Sequence, residues 1–184
     1  AVWCEPNRNG FRLIVAIADV SHYVRPGAPL DDEGQKRATS VYFPGFVVPM
    51  LPENLSNGIC SLKPKLDRLC FVCDMQIGFD GLVSESKFYE AVMHSHARLT
   101  YNQVWKVIGE DDAGLKAELG GLLPAIERLH QLYGILSKAR AQRGAIEFES
   151  SEVHFGLNPQ GEVIQGGLLA RNDAHKLIEE CMIA

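Results

Sequence analysis

Two adjacent acids, Glu179 and Glu180, lie in the segment NDAHKLIEECMIA, which reads as a helix. A carboxylate accepts hydrogen bonds and can take up a proton, so an acid that faces a cleft can serve a reaction. Neighbouring side chains on a helix diverge by about 100°, and the apolar residues cluster on the opposite side: Ala174, Leu177, Ile178 and Cys181. The sequence leaves open whether both acids are solvated or one of them faces a cleft.

Asp19 and His22, in the segment IADVSHYV, follow an apolar strand, which is where enzymes of mixed structure often place functional residues. A carboxylate that caps a turn explains Asp19 equally well. His94 and His96 could share one face of a strand, but no third metal ligand at a suitable spacing accompanies them. We therefore expect no metal at these histidines, and both interpretations of Asp19 stay open.

The five cysteines are Cys4, Cys60, Cys70, Cys73 and Cys181. Cys70 and Cys73 have the spacing of a CxxC motif, but they lie in LDRLCFVCDMQI, which reads as a buried strand. Residues three apart in a strand point to opposite faces, so these two thiols cannot share a zinc ion. We expect reduced cysteines that pack in the interior, as in cytosolic proteins.

The common motifs of phosphate, dinucleotide, zinc-protease and serine-hydrolase sites are absent from the sequence. The net charge of −5 and the pI near 5.7 lack the basic excess that is usual in nucleic-acid-binding proteins. Composition alone therefore favours a small-molecule enzyme or an interaction domain. No run of about eighteen apolar residues and no charged-then-apolar leader occurs, so the sequence predicts neither a membrane span nor a signal peptide.

The elements that must position these residues alternate between strands and helices, which predicts a mixed fold. Residues 1–5 and 11–18 read as strands joined by an Asn-Gly turn, and PLDDEGQKRATSVY offers a short helix. A long loop rich in proline and apolar residues follows over 43–65, with the aromatic Tyr42 at its mouth. DRLCFVCDMQI and LVSESKFYEAVMHSHARL then form an antiparallel pair.

Helix signals are clearest in the second half of the chain. Thr100 and Gln103 form a capping box that starts a helix through about residue 108. A longer helix covers about 122–143, because its apolar positions follow helical spacing and Gly144 supplies the stop. AIEFESSEVHFGLN and GEVIQGGLL predict two or three more strands around an Asn-Pro-Gln-Gly turn.

Both ends of the chain read as interior sequence. The chain begins without Met, directly in a predicted strand, and the last helix stops on apolar residues without a glycine, a basic residue or a proline. We therefore expect residues 1–184 to be part of one domain of a longer protein, truncated at both ends.

Several long segments together resemble the catalytic (RNB) domain of the ribonuclease II family, its ribonuclease R branch most of all. They run in the family's order and cover nearly the whole chain apart from 109–121. The segments are RLIVAIADVSHYVRPGAPLD, RATSVYFPGFVVPMLPENLSNGICSLKP, DRLCFVCDM, FYEAVMHSHARLTYNQVW, ARAQRGAIEFES and RNDAHKLIEECMIA.

The resemblance implies a processive 3′-to-5′ exoribonuclease that hydrolyses single-stranded RNA to nucleoside 5′-monophosphates with Mg²⁺. The family's metal-binding aspartates would end immediately before Ala1, and its catalytic arginine would lie beyond Ala184, so no metal ligand is expected in this chain. The resemblance also implies flanking RNA-binding domains of the OB type and a cytoplasmic location. For the fold we expect a mixed α+β domain, with a mainly antiparallel, curved or barrel-like sheet and helices packed outside.

Three residues match functional positions of the family. Tyr42 and Phe148 match the aromatic residues that stack on bases near the RNA 3′ end, and Glu179 matches a catalytic glutamate that contacts this end. Stacking suits an enzyme indifferent to sequence, because every base has a π-face. Without the resemblance, both aromatics would be interpreted as core residues. The alternatives are a catalytically inactive RNA-binding or scaffold relative, and a small-molecule enzyme that uses Asp19 and the histidines.

Overall fold

A computed structural model describes residues 1–145, 153–168 and 171–184, and these residues form two compact units. The first, here called the sheet unit, includes Ala1–Ile17, residues 63–145 and Arg171–Ala184. The second, the hairpin unit, includes Ala18–Leu62 and residues 153–168. In the part of the chain that the structure describes, no helix is long and apolar enough to cross a membrane.

The elements follow one another along the chain as strands and helices in a mixed order. The strands are β1 (Val2–Asn7), β2 (Gly10–Ala18), β3 (Val41–Phe43), β4 (Phe46–Val48), β5 (Asp67–Gly78), β6 (Val83–His94), β7 (Val153–Leu157) and β8 (Val163–Leu168). The α-helices are α1 (Val20–Tyr23), α2 (Pro29–Arg37), α3 (Tyr101–Ile108), α4 (Ala113–Glu118), α5 (Leu123–Gln142) and α6 (Asp173–Ile183), and Asn54–Ile59 form a π-helix.

The sheet unit is built on one four-stranded sheet with the order β1-β2-β5-β6. β1 pairs with β2 and β5 pairs with β6 in antiparallel register. At the start of β2, Gly10 has a φ of 153°, and a side chain there would place its Cβ 2.0 Å from the carbonyl oxygen of Ile77. Only glycine permits so close an approach of two strands. The prediction of a mixed fold with an antiparallel sheet is confirmed, and among the described residues this sheet is open and not closed into a barrel.

The core of the sheet unit lies between one face of the sheet and the helices α5 and α6. Alternate residues of β2 and β5 point into it, and α5 and α6 add apolar side chains at helical spacing. Its buried members are Cys4, Phe11, Leu13, Val15, Met75, Ile77, Leu132, Leu136, Leu177 and Cys181. Each large side chain contributes about 1.5–3 kcal/mol through burial, which fixes both helices on the sheet.

The helix ends of the sheet unit follow their local chemistry. Thr100 accepts a hydrogen bond from the Gln103 amide in a complete capping box, and Gly144, just past α5, has a φ of 75°. The predictions for α3 and α5 are therefore confirmed within one or two residues. The short α4, N-capped by Asp112, had no periodic signal in the sequence and was not predicted.

The hairpin unit contains α2, the π-helix and the two hairpins β3–β4 and β7–β8. The prediction of a plain loop over 43–65 is wrong in two places, since β4 and the π-helix lie within it. Tyr42 lies on β3 and not in a loop. The Pro44-Gly45 turn, with Gly45 at a φ of 72°, closes this hairpin where the sequence shows only loop-forming residues.

All five cysteines lie in the described part of the chain and none forms a disulfide bond there, in line with the prediction of reduced thiols. Cys70 packs in a small cluster with Ala16 and Val72, whereas Cys73 packs against the main core on the other face of the sheet. The two thiols therefore point to opposite faces, and the CxxC spacing has no chemical meaning here.

Candidate functional site

Glu179 and Glu180 both form ion pairs with Arg140, which projects from α5 toward α6. The Arg140 Nη1 atom lies 3.2 Å from Glu179 Oε1 and 2.8 Å from Glu180 Oε1. The second Glu179 oxygen, Oε2, pairs with Nη2 of Arg171, just before α6. Glu179 is thus a carboxylate held between two guanidinium groups, and the four side chains together carry no formal net charge.

The two acids differ in their contact with water. The side chain of Glu180 is 8% exposed, and that of Glu179 is 34% exposed. The sequence predicts that the apolar face of α6 lies opposite both acids, but Glu180 is buried together with Ala174, Leu177 and Cys181. A buried carboxylate requires a paired charge, and Arg140 supplies it from a neighbouring helix.

Sequence reasoning missed Arg140, although the chain carries a signal for it. Leu132 and Leu136 are buried on α5, and Arg140 follows Leu136 by one more step of four residues. An arginine that continues a buried stripe indicates an acidic partner in the core, since an isolated buried charge is too costly. What the sequence could not indicate was which carboxylate supplies that partner.

A second polar contact joins the same two helices. The hydroxyl of Tyr133 on α5 donates to Asp173 Oδ1, at the start of α6, over 3.4 Å. Burial first, and then the negative charge of Asp173, raise the pKa of Tyr133 above its usual range. The hydroxyl therefore stays protonated and remains a donor at neutral pH.

Tyr42 occupies the most exposed position among the large apolar residues of the β3–β4 hairpin. Its side chain is 77% exposed, and it faces Val47 across the strand pair. Phe43 and Phe46 form the next pair, and their rings stack at 6.4 Å with an interplanar angle of 22°. A tyrosine this exposed is not a core residue, so the interpretation of Tyr42 as ordinary packing is wrong.

Phe148, the second predicted stacking residue, lies outside the residues that the structure describes. Tyr42 belongs to the hairpin unit and Glu179 to the sheet unit. Each of these two residues is therefore characterised within its own unit.

Asp19 caps the first turn of α1. Its Oδ1 atom accepts hydrogen bonds from the Ser21 hydroxyl at 2.6 Å and from the His22 amide at 3.1 Å. These bonds, that of Ser21 first, hold the pKa of Asp19 below its usual range. This geometry supports the structural interpretation of Asp19, in which its carboxylate caps a turn.

The histidines form no metal centre in the described part of the chain. His94 Nδ1 lies 2.7 Å from Asp67 Oδ1, directly opposite it on the neighbouring strand. No group of three or more histidines, cysteines or acids is placed to hold a metal ion among residues 1–145, 153–168 and 171–184.

The described residues thus combine an open antiparallel sheet, helices on one of its faces and two acids on α6. The family model described as RNB domain matches residues 1–184, and the chain belongs to this family. Ribonuclease R of Escherichia coli K12 is 55% identical over 184 residues, which is all of this chain and 22% of that protein. The chain thus spans about a fifth of the length of this relative.

Solved structures agree with this assignment. RNase R of Mycoplasma genitalium, in complex with double-stranded RNA, superposes with a TM-score of 0.90 at 30% identity over 99% of this chain and 32% of that one. The same protein with ribose-methylated single-stranded RNA gives a TM-score of 0.89. Yeast Ssd1, a pseudonuclease, shares the fold alone, with a TM-score of 0.61 at 17% identity over 77% of this chain and 16% of that one.

Proposed function

We propose that the full-length protein containing this chain is an exoribonuclease that degrades single-stranded RNA processively from the 3′ end to nucleoside 5′-monophosphates. The observation that carries the proposal is the match of the RNB domain model to residues 1–184, joined with 55% identity to a ribonuclease R. RNA is the partner that this assignment requires, and the cytoplasm is the proposed location.

Within this function, Tyr42 stacks on a base near the RNA 3′ end. The support is its exposure on the β3–β4 hairpin, where an aromatic ring can meet a base without leaving a core. Phe148 is proposed to stack on the same stretch of RNA, on the basis of the family resemblance. Two stacking rings bind any base regardless of its identity, and each stack contributes about 1–3 kcal/mol.

Glu179 is proposed as the catalytic acid that contacts the RNA 3′ end. A carboxylate has about four acceptor positions on its two oxygens, and Arg140 and Arg171 take one position on each oxygen. The remaining acceptor positions on this partly exposed group can receive a ribose hydroxyl. Glu180 has no such access, because its side chain is buried.

Mg²⁺ is proposed as the cofactor of the full-length protein, and no step of the reaction is assigned to a metal in this chain. In the RNB family the aspartates that bind the metal would precede Ala1, and the described residues offer no alternative cluster. The net charge of −5 also fits a catalytic domain whose phosphate contacts come largely from flanking OB-type domains.

The test is degradation of a single-stranded RNA, labelled at its 5′ end in one sample and uniformly in another, by the purified full-length protein and by residues 1–184 alone, with Mg²⁺ and with a chelator. We expect the full-length protein to release mononucleotides only when Mg²⁺ is present, and the 184-residue piece to be inactive. Binding of RNA without degradation by the full-length protein would favour the inactive relative, and degradation by the piece alone would contradict the placement of the metal site.

The role of Tyr42 has its own test in the full-length protein. Tyr42→Ala removes a stack that matters most for short RNA, which has few distant phosphate contacts, so we expect its affinity to fall by about one to two decades. Long strands should still be degraded, but to a longer end product. Tyr42→Phe is the matched control and should behave as wild type, because the ring and not the hydroxyl stacks. An unchanged end product on a denaturing gel, with an unchanged melting curve, removes Tyr42 from the site.

A further inference from the structure

We propose that Arg140 is a positioning residue that fixes the Glu179 carboxylate, and that the buried Glu180 anchors Arg140. The inference rests on the proposed function, in which Glu179 contacts the RNA 3′ end. Because Arg140 lies on α5, this helix helps to position the carboxylate that α6 carries.

The geometry is that of a single nitrogen shared by two acids. Arg140 Nη1 carries two N–H groups, so it can donate to Glu179 and to Glu180 at the same time. The bond to Glu180 is the shorter, at 2.8 Å against 3.2 Å, and Glu180 is the more buried acid. Glu180 therefore fixes the guanidinium, and the guanidinium in turn fixes Glu179.

Glu179 needs such support because of where it lies. Its side chain is partly exposed on α6, and an unsupported glutamate would sample several rotamers. Arg140 holds its Oε1 atom and Arg171 holds its Oε2 atom, which restricts both the position and the rotation of the carboxylate. A displacement of about 1 Å in a reacting geometry can lower a rate about a hundredfold, so the restriction has kinetic value.

A purely structural role for Arg140 is the competing explanation, since the same ion pairs join α5 to α6. The two explanations differ in how their effects combine. If Arg140 acts through Glu179, its removal has little further effect once the Glu179 carboxylate is gone. If Arg140 only stabilises the helix pair, its effect is the same whether or not Glu179 is present.

The experiment is a double-mutant cycle in the full-length protein, with Arg140→Ala, Glu179→Gln and the combined variant. Turnover and KM are measured on single-stranded RNA, and melting curves are recorded for each variant. We expect Arg140→Ala to lower kcat about tenfold or more while KM changes less than about twofold, and to lower kcat less than about twofold in the Glu179→Gln background. Losses that multiply independently in the combined variant overturn the proposal.

Two further variants keep the test decisive. Arg140→Lys keeps the charge and protects folding, but a lysine lacks the rigid guanidinium plane, so we expect its kcat between those of wild type and Arg140→Ala. The control is Arg12→Ala, which removes an arginine that also lies between two acids, Glu5 and Asp74, away from α6. It should leave kcat unchanged, and an equal loss in Arg12→Ala assigns the effect to general destabilisation.

A wild-type protein that does not degrade RNA overturns the proposed function together with this inference, whereas an active wild type with independent losses overturns this inference alone.

Discussion

Two arginines of the sheet unit each lie between two carboxylates, but their surroundings differ. Arg12 on β2 bonds Asp74 through Nε and Nη2, at 2.9 and 2.6 Å, and lies 3.5 Å from Glu5, its register partner on β1. Arg140 instead joins acids about forty residues away on another helix. Arg12, Glu5 and Asp74, here called the strand group, join neighbouring strands. Arg140, Glu179 and Glu180, here called the helix group, join two helices that are distant in the sequence.

One acid from each arginine, Asp74 beside Arg12 and Glu179 beside Arg140, differs from the other in the acceptor positions that remain available to a ligand. Asp74 accepts from Arg12 on both oxygens and from the Tyr89 hydroxyl at 3.2 Å, and its side chain is 10% exposed. Glu179 keeps acceptor positions at the surface. The comparison teaches that an arginine with two acids is not in itself a site, because only an acid that keeps free acceptors can bind a substrate.

The largest effect should come from the buried acid of the helix group. Glu180→Ala leaves Arg140 partly buried with a weaker partner, and loss of one member of a buried ion pair costs about 3–5 kcal/mol. We expect a clear drop in the melting temperature of the full-length protein. Hydrogen exchange should quicken in α5 and α6 and stay unchanged in β1 and β2. An equal increase in the exchange rate throughout the protein would show that the helix group has no separate stabilising role.

A smaller but more specific effect is expected at Glu179. Glu179→Ala should lower kcat about ten- to a hundredfold, which is about 1.4–2.7 kcal/mol, with RNA affinity and melting temperature close to wild type. The matched control is Glu180→Gln, which keeps the shape and burial of the neighbouring acid and should lower kcat less. Equal losses of kcat in the two variants would mean that the acids act only as structural partners.

Local signals in the sequence predict the helix boundaries of this chain, whereas contacts between distant residues cannot be predicted from them. The capping box at Thr100, the apolar spacing of α5 and the stop at Gly144 are local signals, and each predicted a helix boundary. The burial of Glu180 depends on an arginine forty residues earlier, and the spacing of α5 indicates that Arg140 has an acidic partner but not that this partner is Glu180. The exposure of Tyr42 likewise depends on which side chains of the hairpin unit cover its hairpin, and no local pattern reports this. Aromatic character alone therefore predicts a core residue.

The smallest effect should appear at the strand group, as a dependence of stability on pH. The hydrogen bonds from Arg12, and then its charge, hold the pKa of Asp74 below its usual value of about 3.9. A carboxyl group whose pKa is lower in the folded state stabilises the protein above its unfolded pKa. That contribution is lost as the pH falls through the folded pKa.

We therefore expect the melting temperature of wild type to exceed that of Asp74→Asn by a constant amount from pH 7 down to about pH 4, and the difference to shrink below it. Titrations elsewhere in the full-length protein cancel in this difference, because both proteins share them. The kcat of Asp74→Asn should equal that of wild type at pH 7, since Arg12 and Tyr89 occupy three of the about four acceptor positions of Asp74 and its side chain is 10% exposed. A difference in melting temperature that stays constant down to pH 2 would show that Asp74 contributes shape and not charge, and a lower kcat would place the strand group, too, in contact with the reaction.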